Sequence, residues 1–191
     1  MPAPRQPDIR LVVASYGEDL SWISPLGLPA AVYDSTGVRP GMIPVPNVAR
    51  EAGQYLRHIV ANYGRFGDWN IFVQGDPFAH CEDFADRMAR RDFLRRHLTP
   101  LGRVQGYSAG HTHRHSVAAD RFARETLGHV PDGCQWVLGA QFAVSGPALM
   151  RWPLPWWESL LSKVLAEKHR SPWAMERLWL YILSGISFRP D

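Results

Sequence analysis

"NIFVQGDPFAH", residues 70–80, decides how the chain is read. Ile71, Phe72 and Val73 make a short apolar run of the kind carried by a strand buried on both faces. The run stops at Gln74-Gly75-Asp76-Pro77. Glycine and proline account for a turn. A carboxylate between them also fits a binding edge, because open α/β sheets take ligands outside the carboxyl ends of their strands. Two readings of Asp76 follow. It ligates a divalent metal or a substrate hydroxyl, with His80 or Asp83 as a second metal ligand, or it caps the segment that follows the turn.

Working outward, "IRLVVASY" (9–16) reads as a buried first strand that ends at Glu18 and Asp19. "AAVYDST" (30–36) is a second strand ending at Asp34, and Pro40, Pro44 and Pro46 hold an extended connector. In "NVAREAGQYLRHIVANY" (47–63) the apolar positions Val48, Ala52, Tyr55, Leu56, Ile59, Val60 and Tyr63 recur at helical spacing, with Asn47 as the expected N-cap. Residues 69–76 form the third strand. A helix is expected over 82–98, a polar connector over 102–118, a short helix over 119–127 and a strand or strand pair over 135–146. Two more helices follow, 155–169 and 171–183, the latter with Ser171 as cap and Pro172 at its first position. Residues 1–8 read as a flexible arm and 9–191 as a single α/β domain. The order of elements predicts a three-layer sandwich with a mostly parallel sheet. The acids at three strand ends would then share one edge.

The totals set bounds. With 191 residues, 46% apolar, the chain can bury one core. Eight tryptophans call for a thick core or an aromatic cleft. The net charge of +3 is too small for a nucleic-acid coat. The arginines of 87–96 have Phe93 as their one interleaved aromatic and read as a solvated face, so no nucleic-acid partner is expected. Two distant cysteines and an N-terminus without an apolar core suggest a reduced, cytoplasmic protein. The charge-free stretch between Asp132 and Arg151 is too broken by glycine and polar residues to span a membrane.

Several residues carry possible chemistry. Asn47, Arg50 and Glu51 open the long helix, either as an anion site or as a solvated helix start. His111, His113 and His115 in "GHTHRH" would share a face in a strand and gather zinc or copper; in a loop the spacing means little, and their Ser, Gly and Ala neighbours fit a loop. Glu176 lies at the margin of the Met175/Leu178/Trp179/Ile182 face. It is either a cleft carboxylate desolvated toward general-base use or half of an ion pair with a neighbouring arginine. No GxSxG, GxxxxGK[ST] or GxGxxG motif is present.

"LVVASYGEDLSWI" (11–23), "PNVAREAGQYLRHIVANY" (46–63), "DWNIFVQGDPFAH" (68–80), "GAQFAVS" (139–145) and "MERLW" (175–179) keep their order across most of the chain. Together they resemble the family catalogued as domain of unknown function 3431. Its second motif usually runs Asn-x-Gly-Arg-Glu; here Ala49 replaces the glycine. More distantly, the layout is similar to glycosyltransferases of the nucleotide-diphospho-sugar transferase (GT-A) fold. That likeness implies a GT-A-like sheet and a nucleotide near Tyr16, Glu18 and Asp19; in the leading reading the helix start at Asn47, Arg50 and Glu51 would hold phosphate. The likeness also implies Asp76 in place of the metal-binding Asp-x-Asp motif, with manganese or magnesium, and Glu176 as base. Gln74 and Gln141 would orient polar substrate groups, and Trp152, Trp156 and Trp157 would stack on a sugar or fill the core. "QGD" has one acid where that motif has two. The function expected is a small glycosyltransferase, or related enzyme, acting on a nucleotide-activated or phosphorylated sugar. The alternatives are a metal-dependent hydrolase or oxygenase built on the histidines, with Asp76 or His80, and a non-catalytic binding module.

Overall fold

A computed structural model describes residues 5–110 and 114–185. The chain is an α/β protein built on a mixed six-stranded sheet. Strands β1 (Ile9–Ser15), β2 (Ala30–Asp34), β3 (Ile43–Pro44) and β4 (Trp69–Gln74) run parallel. The sheet then continues with β8 (Phe142–Ser145), antiparallel to β4, and β5 (Leu98–Pro100), antiparallel to β8, in the order β3-β2-β1-β4-β8-β5. A separate two-stranded sheet pairs β6 (Val104–Tyr107) with β7 (Cys134–Val137). The expected strand pair over 135–146 therefore divides between two sheets.

The strand β1 explains the layering. It is paired on both sides, so its alternate residues face two cores. Val12 and Ala14 join Phe72 and Phe142 under α1 (Arg50–Ala61), α3 (Arg114–Leu127), α5 (Leu154–Ala166) and α6 (Ser171–Ser184). Ile9, Leu11 and Val13 join Ile71, Val73, Phe84 and Met88 on the opposite face, which α2 (Phe84–Arg90) covers. The short α4 (Gly146–Leu149) follows β8.

Two expected caps are corrected. The backbone turns into α1 at Ala49, two residues after Asn47, with no side-chain cap. Ser171 lies inside α6, and its hydroxyl donates to the Val164 carbonyl at 2.7 Å, tying α6 to α5. The polar stretch 102–118 contains β6 and the start of α3, which the sequence pattern did not reveal. Among the described residues no helix is long and apolar enough to cross a membrane.

Candidate functional site

The carboxyl ends of β1 and β4, the start of α1, the β7–β8 connection and the first turns of α6 enclose a cleft of about 750 Å³. Tyr16 and Glu18 enter it after β1, and Gln74 closes β4 beside them. Glu18 folds back over the strand end, where its carboxylate accepts from the Tyr16 N–H at 2.7 Å and the Ser15 hydroxyl at 3.2 Å. It lies against Gly75: a Cβ there would stand 2.2 Å from its Oε2. A side chain at Gly75 would push the Glu18 carboxylate off its bonds to Tyr16 and Ser15.

The start of α1 supplies Asn47, Arg50 and Glu51. Ala49 and Arg50 both have left-handed backbone, with φ of 62° and 50°. Such a conformation costs a non-glycine residue about 1–2 kcal/mol. It is the conformation glycine takes freely, which gives a physical reason for the glycine in the Asn-x-Gly-Arg-Glu pattern. The bend carries the Arg50 guanidinium to 4.9 Å from the centroid of Trp173. Glu51, the next residue, is almost fully buried in the cleft wall. Among the described residues no cation pairs with it. Burial lifts its carboxyl to about 7, with the charge of Glu176 adding to the rise and its own N–H and Arg50 opposing it.

Across the cleft, Glu176 on α6 accepts from the Gly139 N–H at 2.9 Å. Its other oxygen lies 3.9 Å from Nη1 of Arg177. Both sequence readings of Glu176 are thus present in one residue: it faces the cleft and has an arginine neighbour. Burial raises its pKa against the opposing pull of the Gly139 N–H, Arg177, His80 and Arg50. Gly139 has a φ of 73°, and a Cβ on it would sit 2.3 Å from the His80 ring, so this turn holds both groups only as glycine. Arg177 lies 4.7 Å from the Trp136 centroid and donates to the Trp173 carbonyl at 3.0 Å. The His115 ring packs 4.5 Å from Trp173, centroid to centroid.

Other expected site residues lie elsewhere. Asp76 is exposed, outside the cleft wall, and its Oδ1 accepts from the Phe78 N–H at 3.1 Å, so the capping geometry is realised. Asp19 accepts from the N–H and hydroxyl of Ser21, and Asp34 likewise from Thr36. Of the strand-end acids, only Glu18 lines the cleft. Gln141 is buried and ties strand ends together: its Nε2 donates to the Pro77 and Leu101 carbonyls, and its Oε1 accepts from the Gln74 N–H. His80 lines the cleft, whereas His111 and His113 lie outside the described residues. Among the described residues no group of three or more His, Cys, Asp or Glu is placed to hold a metal ion.

Trp152 and Trp156 stack on each other at 4.0 Å, and the buried Trp157 donates to the Leu149 carbonyl, so all three pack the body of the protein. The cleft's tryptophans are instead Trp136 and Trp173. Neither stood out as a site residue in the sequence pattern. Trp173 had a signal, since it precedes Glu176 and Arg177 by three and four residues on one helix.

No curated protein matches the chain, and no solved structure does. The model of one family, described as Protein of unknown function (DUF3431), matches residues 11–189, and the chain belongs to that family.

Proposed function

We propose that the chain is a small GT-A-like enzyme that transfers, or otherwise acts on, a nucleotide-activated or phosphorylated sugar, with Glu176 as base. One observation carries the reading. A desolvated carboxylate, fixed by a backbone N–H, shares a cleft with an arginine braced on tryptophan. The parallel block β3-β2-β1-β4, with its carboxyl edge at that cleft, supports the sheet type.

In this reading Glu176 takes the proton from an acceptor hydroxyl. The freed oxygen bonds to the anomeric carbon as that carbon's bond to phosphate oxygen breaks. The leaving phosphate carries away the electron pair, and Arg50 meets its charge. Raised basicity suits Glu176 to this task. Trp173 and Trp136 offer flat faces to a sugar or a base. Asp76, whose Oδ1 serves the turn, is the rim ligand to a sugar hydroxyl; among the described residues it joins no group of three or more that could hold a metal ion.

A thermal-shift panel of UDP-glucose, GDP-mannose, UDP, GDP and glucose 1-phosphate, with and without manganese, zinc and copper, tests the reading. Stabilisation by a nucleotide sugar, followed by sugar transfer or hydrolysis that Glu176→Gln lowers roughly 10²–10⁴-fold, is the expected result. A zinc or copper response without any nucleotide response would replace this reading with the histidine-based metal enzyme. Binding with no turnover would replace it with the binding module.

A further inference from the structure

Within the cleft, one wall differs from the rest. Glu51 forms it, buried and, among the described residues, without a cation partner. Behind it stand two phenols, Tyr16 and Tyr55, whose hydroxyls are buried and have no hydrogen-bond partner. The charge of Glu51 is among the influences that push both phenols upward, so the three groups are neighbours. The indole N–H of Trp179, whose ring lies 6.0 Å from that of Tyr55, is also unpartnered. Buried polar groups nearly always find partners, so this cluster marks an unusually polar region behind the wall; Tyr55 and Trp179 are fully buried, and Glu51 and Tyr16 are the members that line the cleft and can meet a guest.

The chemistry of the wall selects that guest. The groups facing Glu51 are Tyr16 and Glu18 from the β1 turn and Arg50 and Tyr55 from its own helix. From α6 come Glu176 and Arg177, with His80 beside Glu176. Glu18 and Glu176 disfavour an anion here. Arg50, on the same helix turn, disfavours a cation. A carboxyl that holds its proton gives one donor and one acceptor, the complement of an alcohol. We propose that the Glu51 wall is a subsite for the uncharged, hydroxyl-bearing part of the substrate, and that Glu51 meets it as a neutral carboxyl donating a hydrogen bond. The proposal deepens the sugar-transfer reading and rests on it. Arg50 takes the charged end of the substrate and Glu51 the neutral ring. Burial and the nearby Glu176 charge keep the proton on Glu51 near neutral pH.

The test is calorimetric titration of UDP-glucose, GDP-mannose, UDP and GDP between pH 6 and 8.5, alongside carbon-13 NMR of the Glu51 carboxyl. Wild-type affinity for a nucleotide sugar should fall roughly tenfold or more across that range, about a midpoint near 7. The fall beyond that seen for the parent diphosphate should vanish in Glu51→Gln, which keeps a donor at every pH. Glu51→Ala should bind the nucleotide sugar no better than the parent diphosphate. Because Glu51→Ala leaves a cavity, Glu51→Gln and the pH profile decide the matter if that variant fails to fold. Identical pH profiles in wild type and Glu51→Gln, with a Glu51 carboxyl titrating near 4.5, would overturn the subsite while leaving the transferase reading in place. If no nucleotide sugar binds, free glucose, galactose and mannose are titrated against the Glu51 signal. A perturbation at pH 6 that is lost at pH 8.5 keeps the subsite and removes the transferase reading. No perturbation overturns both.

Discussion

The two ends of α1 each bury an ionisable side chain, and they treat it in opposite ways. Toward the C-terminal end His58 is buried, and burial lowers its pKa to about 4, so it stays neutral. Its Nδ1 lies 3.1 Å from the Tyr33 hydroxyl, and Asn62 donates to its backbone carbonyl. The imidazole is packed edge-on against Tyr33 and Phe72. At the N-terminal end Glu51 is as deeply buried, yet among the described residues no cation pairs with it and unpartnered phenols lie behind it. The preceding backbone is strained at Ala49 and Arg50. Burial alone therefore does not mark a site. A buried group packed among its partners away from any cleft is structural; a buried carboxyl that lines a cleft with no cation paired to it, next to a strained backbone, is a candidate for function.

The largest effect tests the wall opposite Glu51. Glu176→Gln keeps an acceptor for the Gly139 N–H but removes the base, so turnover of a sugar substrate should fall roughly 10²–10⁴-fold. The folded state should melt no lower than wild type. A variant that retains activity would leave α6 as scaffold and shift the comparison wholly to α1.

The next effect is on stability, and its sign separates the two ends. Glu51 has a folded pKa raised to about 7 from 4.5. The folded state then holds a proton that the unfolded state has lost, and stability falls as pH rises between those values. Above pH 7 the full penalty, about 3 kcal/mol, is present. Glu51→Gln should remove it, raising Tm at pH 8 on the order of 6–12 °C and changing little at pH 4.5. His58 runs the other way. Its folded pKa of about 4 lies below the ordinary 6.5, so its contribution is present above 6.5 and lost as pH falls toward 4. Between pH 4.5 and 6.5 the two slopes oppose each other and the wild type should be nearly flat. In Glu51→Gln the His58 slope should stand alone, up to about 1.4 kcal/mol per pH unit. Denaturant melts across this window check it; a flat profile in the variant would mean that the two ends are not different in kind.

Smaller effects probe the bend. A Cβ on Gly53 would meet the Val48 carbonyl oxygen at 2.4 Å, so Gly53→Ala should destabilise by about 1–3 kcal/mol and weaken ligand binding through Arg50. Ala49→Gly relieves the left-handed alanine and should stabilise by at most about 1 kcal/mol, a Tm rise of roughly 2–4 °C. A fall in Tm on Ala49→Gly would mean that the buried methyl matters more than the strain.

Much of the fold was legible because periodicity reports burial. The apolar runs at β1 and β4 and the helical spacing of α1, α5 and α6 gave elements within a few residues of those observed. β5 and β6 were not legible. Leu98-Thr99-Pro100 is three residues long, and Val104-Gln-Gly-Tyr107 is largely exposed, so each is a strand because a neighbour pairs with it rather than because of its own pattern. The caps at Asn47 and Ser171 failed for a related reason. Both residues have the right side chain, but the path of the chain into each helix was set elsewhere, by the Ala49 bend and by the Ser171–Val164 bond.

At the site the same division holds. The sequence by itself determined which groups were available: Glu18 at a strand end, Arg50 and Glu51 at a helix start, Glu176 on a mostly apolar face. It also led to Asp76, whose side chain the turn uses locally. Only the tertiary structure decided which of these face one another. Residues 16, 51, 80, 136 and 176 come from separate elements, and nothing in their spacing fixes the distances between them. Only the folded chain removes Glu51 and Glu176 from water and brings their charges within reach of each other. Local pattern sets burial, because burial depends on the periodicity of one element. Proton affinity depends on dielectric and on charges from other elements, and those are fixed only when the chain closes on itself.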